Sequence, residues 1–280
     1  MHRVALNGAC GRMGSRIAKV ISEQHTLRLV AAIEHKDHPA QGQDYGVHVG
    51  LPQFAIPIQN RLDRPVDVLI DFTTPDSTQE RLAECLRFGT PIVIGTTGHS
   101  PEQLEKISAT TNKIPVLIAP NMSVGVNLIF RIAADIARLL GEGYDIEIVE
   151  AHHRFKKDAP SGTALRLAQG IADALGRDLG KSAVHGREGV RGERDPGEIG
   201  IHAIRAGDIV GEHTVIYSNL GERIELIHRA HSRDTFALGA VRAANFLASA
   251  APGNYSIEQA FGLSPVAEPA KKNRSKHRKS

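Results

Sequence analysis

The densest run of chemistry-bearing side chains is Glu150-Ala151-His152-His153-Arg154-Phe155-Lys156-Lys157-Asp158-Ala159-Pro160-Ser161-Gly162-Thr163, directly ahead of a helical pattern. Ser161 fits an N-cap, which leaves the N–H groups of Gly162, Thr163 and Ala164 free for a carboxylate that the helix dipole also favours. Lys156 and the paired histidines offer cations and protons beside that anion site. Taken singly, each member also fits a duller part, as a polar strand end or a solvated lysine pair. A shared metal ion fits poorly, because His152 and His153 occupy consecutive strand positions that face opposite ways, and the chain has no H-E-x-x-H pattern.

A second cluster stands near the start. In Gly8-Ala9-Cys10-Gly11-Arg12-Met13-Gly14 the last two glycines hold the closing places of G-x-G-x-x-G, while Ala9 replaces the first and Gly8 sits one place ahead. Small residues there let the backbone turn tightly and approach a pyrophosphate, and Arg12 adds a cation. Alone such a loop is weak evidence. Here it follows a strand, opens a helix, and is succeeded by Glu34, placed to hold an adenine ribose. Glu34 by itself favours NADH, whereas His35 and Lys36 can neutralise a 2′-phosphate, so both NADH and NADPH are expected to serve. Gly95-Thr96-Thr97-Gly98 and Ala119-Pro120-Asn121-Met122 end two further strands and suit the nicotinamide half of the same crevice.

The elements that must position these groups follow from apolar patterning. Continuous apolar runs at Val4 to Asn7, Leu27 to Ile33, Val66 to Phe72, Pro91 to Ile94 and Ile114 to Ala119 alternate with helical patterns, the last opened by Ser100-Pro101 and ending near Asn112. Such alternation predicts a parallel sheet covered on both faces. After Pro120-Asn121 the style changes: a helix over Val126 to Leu140, a strand over Asp145 to Glu150, a helix over Gly162 to Leu175. Three interleaved strands follow, Gly200 to Arg205, His213 to Tyr217 and Arg223 to His228, of the kind seen in half-buried antiparallel sheets. A helix over Thr235 to Ala248 and an apolar segment from Tyr255 to Phe261 close the pattern. The fold class is α/β: a Rossmann-like doubly wound domain plus an α+β domain with a mixed, largely antiparallel open sheet.

The 280 residues, 41% of them apolar, suffice for two modest cores. The formal charge of +3 hides a split, since six Lys and Arg in the last ten residues leave −3 on the rest. That basic end, residues 264–280, reads as a disordered, solvated tail, preferred over a nucleic-acid contact. Cys10 and Cys85 lack the spacing of a disulfide framework or a thiolate metal site and read as free thiols. No apolar run reaches bilayer length and no signal segment opens the chain, so a soluble cytoplasmic protein without a membrane partner is expected.

The motifs quoted above, with Gly186-Arg187, Ile201 to Asp208 and Gly211-Glu212-His213, resemble the dihydrodipicolinate reductase family from residue 3 to about residue 263. The resemblance implies NAD(P)H-dependent reduction of a small cyclic dicarboxylate in lysine and diaminopimelate biosynthesis, by a homotetramer. It implies a dinucleotide-binding domain of residues 1–123 and 234–263, and a substrate-binding and oligomerisation domain of residues 124–233. Carried across by position, His152 and Lys156 correspond to the proton-donating pair, and His153, Lys156, Gly162 and Thr163 to the contacts with substrate carboxylates. Gly8, Ala9, Cys10, Gly11, Arg12, Met13, Glu34, His35, Gly95, Thr96, Thr97, Ala119, Pro120, Asn121 and Met122 correspond to cofactor contacts. His35 stands where many relatives carry arginine, and Phe155 replaces a frequent histidine. Two rival readings are an aldehyde-oxidising dehydrogenase, which needs a thiolate that neither cysteine is placed to give, and an NAD(H)-sensing regulator, which has no use for the His152 segment.

Overall fold

The computed structural model describes residues 1–263; the basic tail expected at residues 264–280 lies outside them. Seven parallel strands form the first sheet: β1 (His2–Asn7), β2 (Leu27–Ile33), β3 (Ile58–Gln59), β4 (Val68–Asp71), β5 (Ile92–Ile94), β6 (Pro115–Ile118) and β12 (Gly253–Tyr255). Their order is β12-β6-β5-β4-β1-β2-β3. Both faces are apolar, as a buried parallel sheet requires. Val4 and Leu6 point into one core with Ile17 and Ile21 of α1 (Arg12–Ser22) and Ala240, Ala244 and Leu247 of α8 (Asp234–Leu247). Ala5 and Leu69 point into the other, with Leu82 and Cys85 of α3 (Pro75–Phe88) and Ile107 of α4 (Pro101–Thr110).

Local chemistry sets the helix starts on this domain. Thr74 caps α3 with Pro75 at its first position, and Ser100 and Gln103 form a reciprocal capping box on α4. The segment from Tyr255 to Phe261 divides: Tyr255 ends the edge strand β12, and Ser256 caps the short α9 (Ile257–Ala260). The one-turn helix α2 (Tyr45–His48) and the edge strands β3 and β12 carry too few residues to show periodicity, and patterning gave no sign of them.

The second sheet runs β11-β10-β7-β9-β8, built from β7 (Asp145–His152), β8 (Ala183–His185), β9 (Ile199–Arg205), β10 (Gly211–Ser218) and β11 (Arg223–Ala230). β10 pairs antiparallel with β7 and β11, but β9 lies parallel to β7 and β8. The reason is the connection, since the chain leaves β7, crosses through α6 (Gly162–Leu175) and the short α7 (Leu179–Ser182), and returns in the same direction. α5 (Val124–Leu140) and α6 cover one face, packing Ile129, Ala133, Leu167 and Ile171 on Ile146, Ile148, Ile201, Val215 and Tyr217. The buried Tyr217 hydroxyl donates to the Ala133 carbonyl at 2.7 Å, satisfying the one polar atom its ring brings into that core.

Candidate active site

At the carboxyl end of β1 the chain turns through Gly8 to Gly14 into α1. Gly8 and Ala9 N–H groups donate to the Ile33 carbonyl at 3.0 Å each, which binds the loop to the end of β2. A Cβ on Gly14 would lie 2.2 Å from the Ala9 carbonyl oxygen, so the helix passes this close only because the residue is glycine. No side chain caps α1, and no acid lies in its first turn. Its leading N–H groups therefore face outward as an anion site, which fits a pyrophosphate.

Glu34 reaches back to this loop, accepting the Cys10 N–H at 3.0 Å on one oxygen and its neighbour His35 N–H at 3.0 Å on the other. Beside it opens a cleft of about 800 Å³, lined by Glu34, His35, Lys36 and, facing them, Asn7 at the end of β1, Thr73 after β4 and Arg81 of α3. Sequence reasoning missed this far wall. It is organised by Asp71, fully buried at the end of β4, whose carboxylate accepts from Asn7 (2.6 Å), Thr73 (2.7 Å), Thr78 (2.5 Å) and Thr96 (2.8 Å). The available signal was Asp71-Phe72-Thr73-Thr74-Pro75, a polar run closing an apolar strand and opening a proline-led helix.

The two loops read as nicotinamide contacts lie on the neighbouring strand ends. Thr96 hydroxyl accepts the Thr73 N–H at 2.8 Å, tying the Gly95 to Thr97 loop to the loop after β4. Ala119 to Met122 leads into α5, and Asn127 clamps it by donating to the carbonyls of Asn121 (3.0 Å) and Ser123 (2.8 Å). From this clamped loop the Asn121 amide reaches the Thr163 hydroxyl at 3.4 Å. That contact joins the mouth of the parallel sheet to the N-terminus of α6, on the other core.

The Glu150 to Thr163 segment wraps the end of β7. Ser161 caps α6 by accepting the Ala164 N–H at 3.1 Å, and shares a 3.2 Å hydrogen bond with the buried His213 of β10. Gly162 and Thr163 N–H groups stay available at the helix start. His152 contacts Glu150 through Nδ1 at 2.5 Å, while Lys156 reaches Asp158 at 2.9 Å. The His153 Nδ1 is buried without a partner. Glu150 is fully buried and also receives both terminal nitrogens of Arg205 at 2.8 Å and the Ser161 N–H at 3.0 Å. Burial would raise this carboxyl, but those donors outweigh it and hold it below the usual range. His152 is pushed down by burial, against the pull of Glu150. His213 is driven to about 3 by burial and the neighbouring His152, so it is neutral at ordinary pH.

The fold also gathers groups that spacing along the chain does not, since donor atoms of Cys10, His38 and His48 lie within 4.8 Å of one another. Burial and the Glu34 charge push the Cys10 thiol up to about 11, and His38 Nδ1 already accepts the Ala40 N–H at 3.2 Å. Cys10 is thus held as a thiol rather than the thiolate a metal prefers, and His38 Nδ1 is already engaged. Cys85 is wholly buried and its thiol is also raised, so neither cysteine is an activated nucleophile.

A doubly wound sheet with an uncapped glycine turn, facing a second domain that carries an acid, cations and an open helix N-terminus, defines a Rossmann-type two-domain oxidoreductase. Family models described as the N-terminus and the C-terminus of dihydrodipicolinate reductase match residues 2–122 and 125–261. The 4-hydroxy-tetrahydrodipicolinate reductases of Syntrophotalea carbinolica and Citrifermentans bemidjiense are 52% and 49% identical, each over 94% of this chain and 100% of their own. A solved dipicolinate-bound dihydrodipicolinate reductase from Paenisporosarcina sp. TG-14 superposes with a TM-score of 0.73 at 29% identity, covering 91% of this chain and 97% of that one. The chain belongs to the dihydrodipicolinate reductase family. An amine dehydrogenase from Mycobacterium smegmatis, 14% identical with a TM-score of 0.54 over 92% of this chain and 95% of its own, shares the fold.

Proposed function

We propose that this enzyme reduces 4-hydroxy-tetrahydrodipicolinate, a small cyclic dicarboxylate, to tetrahydrodipicolinate in the diaminopimelate and lysine pathway, using NADH or NADPH, in the cytoplasm. The observation that carries the reading is the Asn121 to Thr163 contact, which sets the strand-end loops of the dinucleotide crevice against the α6 N-terminus and its flanking histidines and lysine. Residues 1–123 with 234–263 hold the dinucleotide, and residues 124–233 hold the substrate.

Loss of the 4-hydroxyl as water leaves an unsaturated ring, and a bound reduced nicotinamide would supply hydride to one carbon of that ring. What the chain supplies is position and a proton. Gly162 and Thr163 N–H groups, with His153 and Lys156, grip the carboxylates, which fixes the ring against the crevice. Electron density left on the neighbouring ring carbon is then quenched by a proton from His152 Nε2 or Lys156 Nζ. A positioned general acid is worth about 10²–10⁴ in rate. In steady-state assays with enzymatically generated substrate, His152→Ala and Lys156→Ala lower kcat by that order, while KM for NADH stays within a few fold. Unchanged kcat in both variants overturns the assignment.

The assembly proposed is a homotetramer built through the uncovered face of the second sheet. Side chains alternate along its strands, so Val149, Thr214, Ile216, Ile204 and Ile227 point away from the helices. Ile204 and Ile227 are 47% and 42% exposed.

A further inference from the structure

We propose that Glu150 is a positioning residue for the reduction: its carboxylate fixes the His152 ring through Nδ1, leaves Nε2 as the donating atom and holds the proton there, while Arg205 keeps that carboxylate ionised. This rests on His152 being the acid. Glu150 has no exposed surface, and every one of its partners is a donor: His152 Nδ1 at 2.5 Å and Arg205 Nη1 at 2.8 Å on Oε2, Arg205 Nη2 at 2.8 Å and the Ser161 N–H at 3.0 Å on Oε1.

A carboxylate this deep is costly to keep charged unless a cation and hydrogen bonds surround it. Arg205 meets that need from the end of β9, and its Nη2 also donates to the Asp158 carbonyl at 2.6 Å, so the same guanidinium braces the loop that carries Lys156. With a carboxylate on Nδ1, the neutral ring left after donation carries its remaining proton on Nδ1, which makes Nε2 the acid. A Cβ on Gly211 would lie 3.2 Å from that Nε2, so the glycine opening β10 leaves the atom uncovered.

The charged and titratable groups around His152 divide by sign. Burial, Lys156 and Arg205 lower its hold on a proton, and Glu150 raises it. His213 faces it edge-on, ring centres 5.2 Å apart, as a neutral wall, and Asp158 is taken up by Lys156. Substrate carboxylates add to the Glu150 effect during turnover. Without Glu150 the lowering influences act unopposed, and the ring would hold its proton less tightly still.

The first measurement uses the wild-type protein. Nitrogen NMR of the His152 ring is expected to show the neutral form protonated on Nδ1; protonation on Nε2 overturns the proposal. The second is the pH dependence of kcat for Glu150→Gln. Its alkaline limb moves down by about one unit or more, which lowers kcat at neutral pH by roughly tenfold, with KM for NADH unchanged; Glu150→Asp recovers part of the loss. A folded Glu150→Gln enzyme with the wild-type pH profile overturns the proposal. Should the unpaired Arg205 prevent folding, the wild-type ring decides the proposal by itself, and a neutral form protonated on Nε2 remains fatal to it. A wild-type kcat in His152→Ala is a different failure, which removes the acid assignment itself.

Discussion

At the scale of single residues, cofactor choice rests on three neighbours at the end of β2. Glu34 is tethered by the Cys10 and His35 N–H groups and shares the 800 Å³ cleft with His35 and Lys36. A carboxylate favours a ribose diol and opposes a 2′-phosphate, while the two basic neighbours act the other way. One charge contact at a partly exposed position is worth about 1–2 kcal/mol, so the two cofactors are expected to differ in kcat/KM by roughly tenfold. Glu34→Ala shifts the ratio toward NADPH, and His35→Ala with Lys36→Ala shifts it toward NADH. Wild-type discrimination of about a thousandfold, or no response to either change, would refute this account.

At the scale of elements, α6 is both a wall of the second core and an anion site, and Ser161 serves both roles. Its hydroxyl caps the helix and meets His213. Ser161→Ala removes the cap, at a cost of about 0.5–2 kcal/mol, and leaves His213 without that partner. Denaturant melts should show the loss of stability, and KM for the dicarboxylate should rise more than KM for NADH, because α1 and its turn are untouched. An equal rise in both would mean that the α6 N-terminus does not hold substrate. The Asn121 to Thr163 contact works at the same scale and, with the Arg166–Glu258 ion pair at 2.8 Å, joins α6 to the domain of the parallel sheet.

At the scale of the whole molecule, acid acts through buried groups of both kinds. His213 titrates near 3 in the folded protein, below its ordinary value of 6.5, so the unfolded chain takes the proton first. Its contribution to stability is complete above that ordinary value and is lost progressively as pH falls toward 3, by about 1.4 kcal/mol per unit. Glu147 behaves alike at lower pH: burial alone would raise it, but Arg187, His202 and Arg194 hold it at about 2, so its stabilisation is lost as pH falls from 4.5 toward that value. Urea midpoints should therefore decline from neutral pH downward, and His213→Asn should flatten the upper part of that decline. A wild-type midpoint that stays level down to pH 5 would contradict the burial argument. The same scale governs assembly: Ile227→Asp on the open sheet face is expected to shift the mass measured by light scattering from tetramer toward smaller species, and an unchanged tetramer would place the interface elsewhere.

The sequence by itself determined the parts whose chemistry is local. A glycine turn between strand and helix, a proline-led cap, and a polar run ahead of α6 are each set by residues a few positions apart, and they reveal the crevice loops and His152, His153 and Lys156. Continuous apolar runs likewise disclosed the parallel sheet, since both its faces must be buried. The tertiary structure alone decided the partners of those groups. Glu150 meets Arg205 across 55 positions and Ser161 meets His213 across 52, because sheet register and helix docking bring their chain segments together. Asp71 gathers Asn7 from the end of β1 and Thr96 from the loop after β5, the strands on either side of β4, by the same means. The helix over residues 234–247 shows the limit plainly: its apolar face declares that it is buried but not where, the family resemblance assigns it to the first domain, and the structure packs it on α1 and the parallel strands. Hydrophobic pattern specifies that a surface must be covered and carries no address for what covers it.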